Sequence, residues 1–147
     1  MPPIQHSMSE IPDEEKMPDE EICRPDRSWG AKFSDAFRGL RQGVRGESSF
    51  FVHFFIAFAV ILAGIFLHVS SLMEWCVLII CITVVLVCEM FNTALESMAR
   101  AITDEPNPHV GGALDIGSAA VLLSSIGAAV VGTIVLFNAL AKLLGWY

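Results

Sequence analysis

The sequence has 147 residues, 54% of them hydrophobic, and a formal net charge of -7. That apolar share exceeds the roughly 45–50% usual in a soluble domain, and the length suits a single domain. A nucleic-acid partner is excluded by the lack of an extended basic patch with interleaved aromatics, and zinc or C-x-x-C redox chemistry by the spacing of Cys23, Cys76, Cys81 and Cys88.

Residues 1–29 are expected to form a disordered acidic tail. Up to residue 27 they hold Glu10, Asp13, Glu14, Glu15, Asp19, Glu20, Glu21 and Asp26 against Lys16, Arg24 and Arg27, with many prolines and few aromatics. The acidic start lacks the apolar run of a secretory signal. Residues 30–147 are expected to form a membrane domain.

The stretch GAKFSDAFRGLRQGVRG, 30–46, reads as an amphipathic helix. Phe33, Phe37, Leu40 and Val44 recur every three to four residues, and Lys32, Arg38, Arg41 and Arg45 gather mainly on the other side. Aromatics opposite basic residues suit a helix lying on a membrane surface. Packing against the protein's own spans is the alternative. Residues 50–68, 72–99 and 113–144 are three apolar runs of about the length that crosses a bilayer. His53 interrupts the first and Glu74 the start of the second; Lys142 lies near the end of the third. Cys76, Cys81 and Cys88 fall within these runs, where cysteine packs as a small hydrophobe.

Lys and Arg set the orientation. The basic 30–46 segment and Arg100 place the entry to the first span and the loop at 100–112 in the cytoplasm. HVSS between the first two spans carries neither residue and goes outside; Lys142 alone opposes this order. The reading is an all-α membrane protein of the cytoplasmic membrane, three transmembrane helices preceded by an amphipathic surface helix. Glu47, Glu89, Glu96 and Asp115, from three segments, then gather near the cytoplasmic face.

On a helix advancing about 100° per residue, Glu89, Asn92, Glu96 and Arg100 lie within about 80° of one another. A charge within a bilayer costs at least about 2.5 kcal/mol, and such residues usually mark function. Clustered carboxylates suit Mg²⁺, which takes oxygen ligands, and an amide such as Asn92 can orient a phosphate or carboxylate. Structural pairing of these acids with Arg41, Arg45 or Arg100 is the competing account. Asp115 could instead serve a helix dipole.

The stretch EMFNTALE at 89–96 resembles the E-x-x-N-[ST]-A-[IL]-E signature of the prokaryotic diacylglycerol kinase and undecaprenol kinase family. DIGSAAVLL at 115–123 resembles that family's third-span run, and FSDAFRGLRQGVRGESSFFVHF its surface helix and first-span entry. The resemblance implies a homotrimeric membrane enzyme, an ATP-dependent lipid kinase that transfers the γ-phosphate of MgATP to the hydroxyl of diacylglycerol or undecaprenol. By motif position it implies Glu89 as general base, Glu47 and Glu96 as metal ligands, Asn92 and Asp115 at the nucleotide, and Ser118 near the lipid. The FFVHF entry with His53 looks more like the undecaprenol kinase branch. No G-x-x-x-x-G-K-[ST] loop is present.

Two positions depart from the family's pattern. Arg100 stands where an acid is usual, and Leu114 where a lysine usually precedes the motif Asp115. Arg100 is expected to supply the missing cation to ATP. The rival readings are a non-catalytic paralogue that binds lipid or nucleotide without phosphoryl transfer, and a channel subunit. Acids confined to one membrane face disfavour the channel.

Overall fold

A computed structural model describes residues 28–46, 48–103 and 105–146. Four helices follow one another: α1 (Trp29–Gly46), α2 (Ser48–Phe66), α3 (Leu72–Ile102) and α4 (Pro108–Leu143). The expected acidic tail up to Arg27 lies outside the described residues, as do Glu47, Asp104 and Tyr147. α2, α3 and α4 are each long and apolar enough to cross a membrane, with mean hydropathies of 2.4, 2.4 and 2.3.

Each helix boundary has a local cause. Ser28 caps α1, its Oγ accepting from the Ala31 amide at 3.3 Å. α2 stops at Phe66, two residues before the apolar run ends, in a Schellman turn. There Val69 N–H donates to Gly64 O at 3.0 Å and His68 N–H to Ile65 O at 3.1 Å. His68 takes the left-handed position, φ 54°, that glycine usually fills. α4 starts at Pro108, earlier than the apolar run suggests. Proline at the first helical position lacks the N–H that would be left over there, and Asn107 Oδ1 accepts from His109 N–H at 2.9 Å. Gly111 and Gly112 therefore sit inside the helix, where a loop was expected.

α3 and α4 form the main hairpin. The buried residues of α3 are Leu78, Val85, Glu89, Asn92 and Thr93, spaced as one helical face. Those of α4 are Gly117, Gly132, Val135, Ala139 and Ala141. Small residues on α4 let the two backbones approach, as membrane helices commonly require. Val69, Leu78, Val135 and Ala139 form the apolar core, at the end of the bundle remote from Arg100, with Val60, Trp75 and Val131 packed around it. At that same end Lys142 Nζ stands 3.4 Å from Glu74 Oε1. The one cation that opposed the charge-based orientation thus has an acid partner.

α2 leans on this hairpin through the Trp75 indole. The indole N–H donates to Val69 O at 2.9 Å, which fixes the ring against Gly64. A Cβ on Gly64 would stand 2.9 Å from Trp75 Cη2. α1 meets α3 near its end, where a Cβ on Gly43 would lie 3.5 Å from Met90 Cε. Phe33, Phe37 and Leu40 of α1 stay exposed, so the chain's own spans do not cover them.

Gly64→Ala is expected to destabilise the protein by about 1–3 kcal/mol, because the anchored indole cannot yield without losing its hydrogen bond. A lowered thermal unfolding midpoint in detergent, absent in Gly30→Ala where the space is open, checks this.

Candidate functional site

The buried face of α3 changes character along its length. Leu78 and Val85 occupy it near one end, and Glu89, Asn92, Glu96 and Arg100 continue it toward the other. With a rise of about 1.5 Å per residue, Glu89 and Glu96 stand about 10 Å apart along the axis. The whole 31-residue helix is about 46 Å long, against a hydrocarbon core of about 30 Å. The helix therefore has length to spare beyond an apolar layer of that thickness.

Glu89 is 2% exposed and is the most buried charged residue among those described. Its partner is Ser49 on α2, whose hydroxyl donates to Glu89 Oε1. This bond ties the first span to the second at the level of the acid. A buried carboxylate requires such donors, since an unmet charge in an apolar setting is costly.

Asn92, 9% exposed, lies one turn further on. Its Nδ2 donates to Glu96 Oε1 at 3.0 Å. Glu96 Oε2 in turn lies 3.8 Å from Arg100 Nη1. The stripe is thus a chain of polar contacts at i, i+4 spacing, and the structural pairing of Glu96 with Arg100 is present within it. Asn92 Oδ1 and Thr93 Oγ1 are buried without hydrogen-bond partners.

α4 contributes differently. Gly117 is buried against α3, whereas Asp115 and Ser118 are exposed. Asp115 precedes Gly117 by two residues, about 200° around the helix, so it faces away from α3. Among the described residues no hydrogen bond or ion pair joins Asp115 or Ser118 to the stripe. Glu47 lies outside the described residues.

Two cavities flank the stripe. One of about 490 Å³ sits at the α3–α4 connection and is lined by Arg100, Thr103, Asn107, Gly111 and Leu114 among others. The two residues that depart from the family's pattern therefore line the same cleft. The other, about 440 Å³ and mostly apolar, lies between α2, α3 and α4, with His53, Val85, Leu86 and Ser125 in its wall. His53 is one turn beyond Ser49, and Val85 one turn before Glu89, so this cavity begins next to the Ser49–Glu89 bond.

Residues 34–136 match the family described as prokaryotic diacylglycerol kinase. The chain belongs to the prokaryotic diacylglycerol kinase family. It is 31% identical over 103 residues to the undecaprenol kinase of Bacillus subtilis, covering 70% of this chain and 83% of that protein. It is also 31% identical over 113 residues to a diacylglycerol kinase of Synechocystis, covering 76% of this chain and 64% of that protein. The match begins in α1 and ends in α4, so it contains the polar stripe and both cavities.

Sequence reasoning did not single out Ser49, Thr93 or Gly117. Ser49 offered one signal: with His53 it places two polar residues at i, i+4 on one side of an otherwise apolar helix. Gly117 lies inside the DIGSAAVLL run, but only the packing shows what it faces.

Ser49→Ala is expected to lower stability by about 1–3 kcal/mol, since it leaves a buried carboxylate short of a donor. Glu89→Gln retains an oxygen that can accept from Ser49 and is expected to change the unfolding midpoint little. Thermal unfolding of both variants in detergent checks the contrast.

Proposed function

We propose that this protein is an ATP-dependent lipid kinase of the cytoplasmic membrane. It transfers the γ-phosphate of MgATP to the hydroxyl of a membrane lipid, diacylglycerol or undecaprenol. The observation that carries this reading is a carboxylate, Glu89, buried in a membrane-length helix and already receiving a hydroxyl hydrogen bond from Ser49.

A lipid alcohol becomes an effective nucleophile when a carboxylate within hydrogen-bond reach takes its proton. Glu89 has that role. The hydroxyl of Ser49 stands where an acceptor hydroxyl would donate, so the lipid displaces or joins it at Oε1. The proton passes from the lipid O–H to the carboxylate. The lipid oxygen forms a bond to the γ-phosphorus, the bond from that phosphorus to the β,γ-bridging oxygen breaks, and ADP departs with the electron pair. Glu89 lies deeper than Glu96, which suits the base to the lipid and Glu96 to the water-soluble nucleotide.

Among the described residues no three His, Cys, Asp or Glu side chains converge on one point. Mg²⁺ carried with ATP needs only one or two protein carboxylates, because phosphate oxygens and water complete its shell. Glu96 fits that requirement: Asn92 orients its carboxylate, which remains partly exposed. Glu47 is its proposed companion. When bound, the ion offsets phosphate charge during transfer. Asn92, Asp115 and Arg100 are assigned to the nucleotide, with Arg100 the cation of the α3–α4 cleft, and Ser118 to the lipid.

The same reading makes residues 30–147 the catalytic membrane domain, with 1–29 an appended acidic tail. It lays α1 on the cytoplasmic surface, where the exposed Phe33 and Phe37 meet lipid, and puts the active site on that face. It also takes the protein as a homotrimer. The exposed Asp115, turned from its own α3, and the many exposed apolar residues of α2 and α4 are compatible with neighbouring copies.

A non-catalytic paralogue is the second reading, favoured by Arg100 and Leu114 in one cleft. Labelled ATP with Mg²⁺, offered to purified protein in mixed micelles containing either lipid, separates the two. Label is expected in one lipid, falling at least about a hundredfold in Glu89→Gln. No label in either lipid from folded protein sinks the kinase reading. Arg100→Ala is expected to raise the apparent KM for ATP at least about tenfold with kcat less affected, since a charge-assisted phosphate contact of about 1.5–3 kcal/mol is lost. An unchanged KM removes Arg100 from the nucleotide site.

A further inference from the structure

Asn92 carries an unanswered polar atom. Its Nδ2 is spent on Glu96 at 3.0 Å, but its Oδ1 is buried without a hydrogen-bond donor. Buried polar atoms are nearly always satisfied, so each exception calls for a physical account.

What faces that oxygen is Gly117 of α4. A Cβ placed on Gly117 would stand 2.7 Å from Asn92 Oδ1 and 3.1 Å from Leu95 Cδ1. The direction of the absent Cβ is the direction of one of glycine's two Cα–H bonds. Gly117 therefore aims a C–H at the orphan oxygen. Such Cα–H···O contacts recur where two helices approach closely, and they are weak but directional. Small residues make that approach possible.

We infer that Gly117 is a positioning residue: its bare Cα fixes the Asn92 amide with oxygen toward α4 and nitrogen toward Glu96. The amide has two chemically different ends. Reversed, it would set its oxygen against the Glu96 carboxylate, two acceptors face to face. With Gly117 receiving the oxygen, the N–H₂ group is committed to Glu96, and the carboxylate is held for what it binds. An alanine at 117 removes this arrangement. Its methyl would force Oδ1 away, and Asn92 has only two side-chain torsions, both restrained by the Glu96 bond. Leu95, the other neighbour, can turn its terminal methyl aside. The effect of the methyl thus reaches Glu96 through Asn92.

The inference rests on the assignment of Asn92 and Glu96 to the nucleotide and its metal. Its test is a double-mutant cycle on the full chain, with Gly117→Ala, Asn92→Ala and the double variant. kcat and the apparent KM for MgATP are read separately, and the thermal unfolding midpoint in detergent is read alongside. Gly117→Ala is expected to lower kcat/KM for MgATP at least about tenfold, since small misplacements of positioning groups cost that much or more. In the Asn92→Ala background the same substitution is expected to cost less than about threefold, and its drop in midpoint to shrink by about half or more, because the clashing oxygen is gone.

Equal penalties in both backgrounds would overturn the inference, since the glycine would then act through packing alone. Native kinetics and midpoint in Gly117→Ala would overturn it as well. If the parent chain transfers no phosphate, the lipid-kinase reading fails, and the midpoint cycle still decides whether Gly117 and Asn92 are coupled.

Discussion

The structure depends on one helical face of α3 that must satisfy two environments in turn. Near the Leu72 end the face meets α4 through Leu78, beside Val135 and Ala139. There close packing of apolar side chains sets the contact. Past Val85 the same face carries Glu89, Asn92 and Thr93, still buried. From that point every neighbour is constrained by the need to answer a polar group. α2 must present Ser49, α4 must present a glycine, and the helix itself must run on to Glu96 and Arg100. The apolar half holds the helices in register, and that register brings the polar half together.

The two ends of the hairpin are closed by different means. At the apolar end, Trp75 is held by Val69 O and Lys142 lies beside Glu74. At the other end, Asn107 caps α4 and Pro108 starts it, which keeps the connection from α3 short. That short connection brings Arg100 and Leu114 into one cleft. A longer loop would have separated them. Those are the two positions at which the sequence departs from the pattern it otherwise resembles.

Much of this was legible in the residues. The three apolar runs and the polar stripe follow from length and from 100° spacing, which need no tertiary information. The stripe's own contacts, Asn92 to Glu96 and Glu96 to Arg100, are of the i, i+4 kind that a sequence encodes directly. Helix ends were less legible. Gly111 and Gly112 look like loop residues, yet they lie in α4 because the Asn107–Pro108 start outweighs their low propensity. Ser49 and Gly117 could not be read as partners of Glu89 and Asn92. Each acts across a helix–helix contact whose register is set by residues far away in the chain. Asp115 and Glu96 share a motif-rich neighbourhood in sequence, but the turn of α4 points Asp115 away from α3.

The helices differ greatly in length. α2 has 19 residues, about 28 Å, whereas α3 and α4 have 31 and 36, about 46 and 54 Å. A hydrocarbon layer of about 30 Å is matched by α2 alone. The longer pair can tilt or protrude without exposing its apolar stretch, so a change in bilayer thickness acts most directly on α2. Ser49 sits at one end of α2, and its bond to Glu89 is where that helix touches the polar stripe. Hydrophobic mismatch is thereby coupled to the surroundings of a single buried carboxylate.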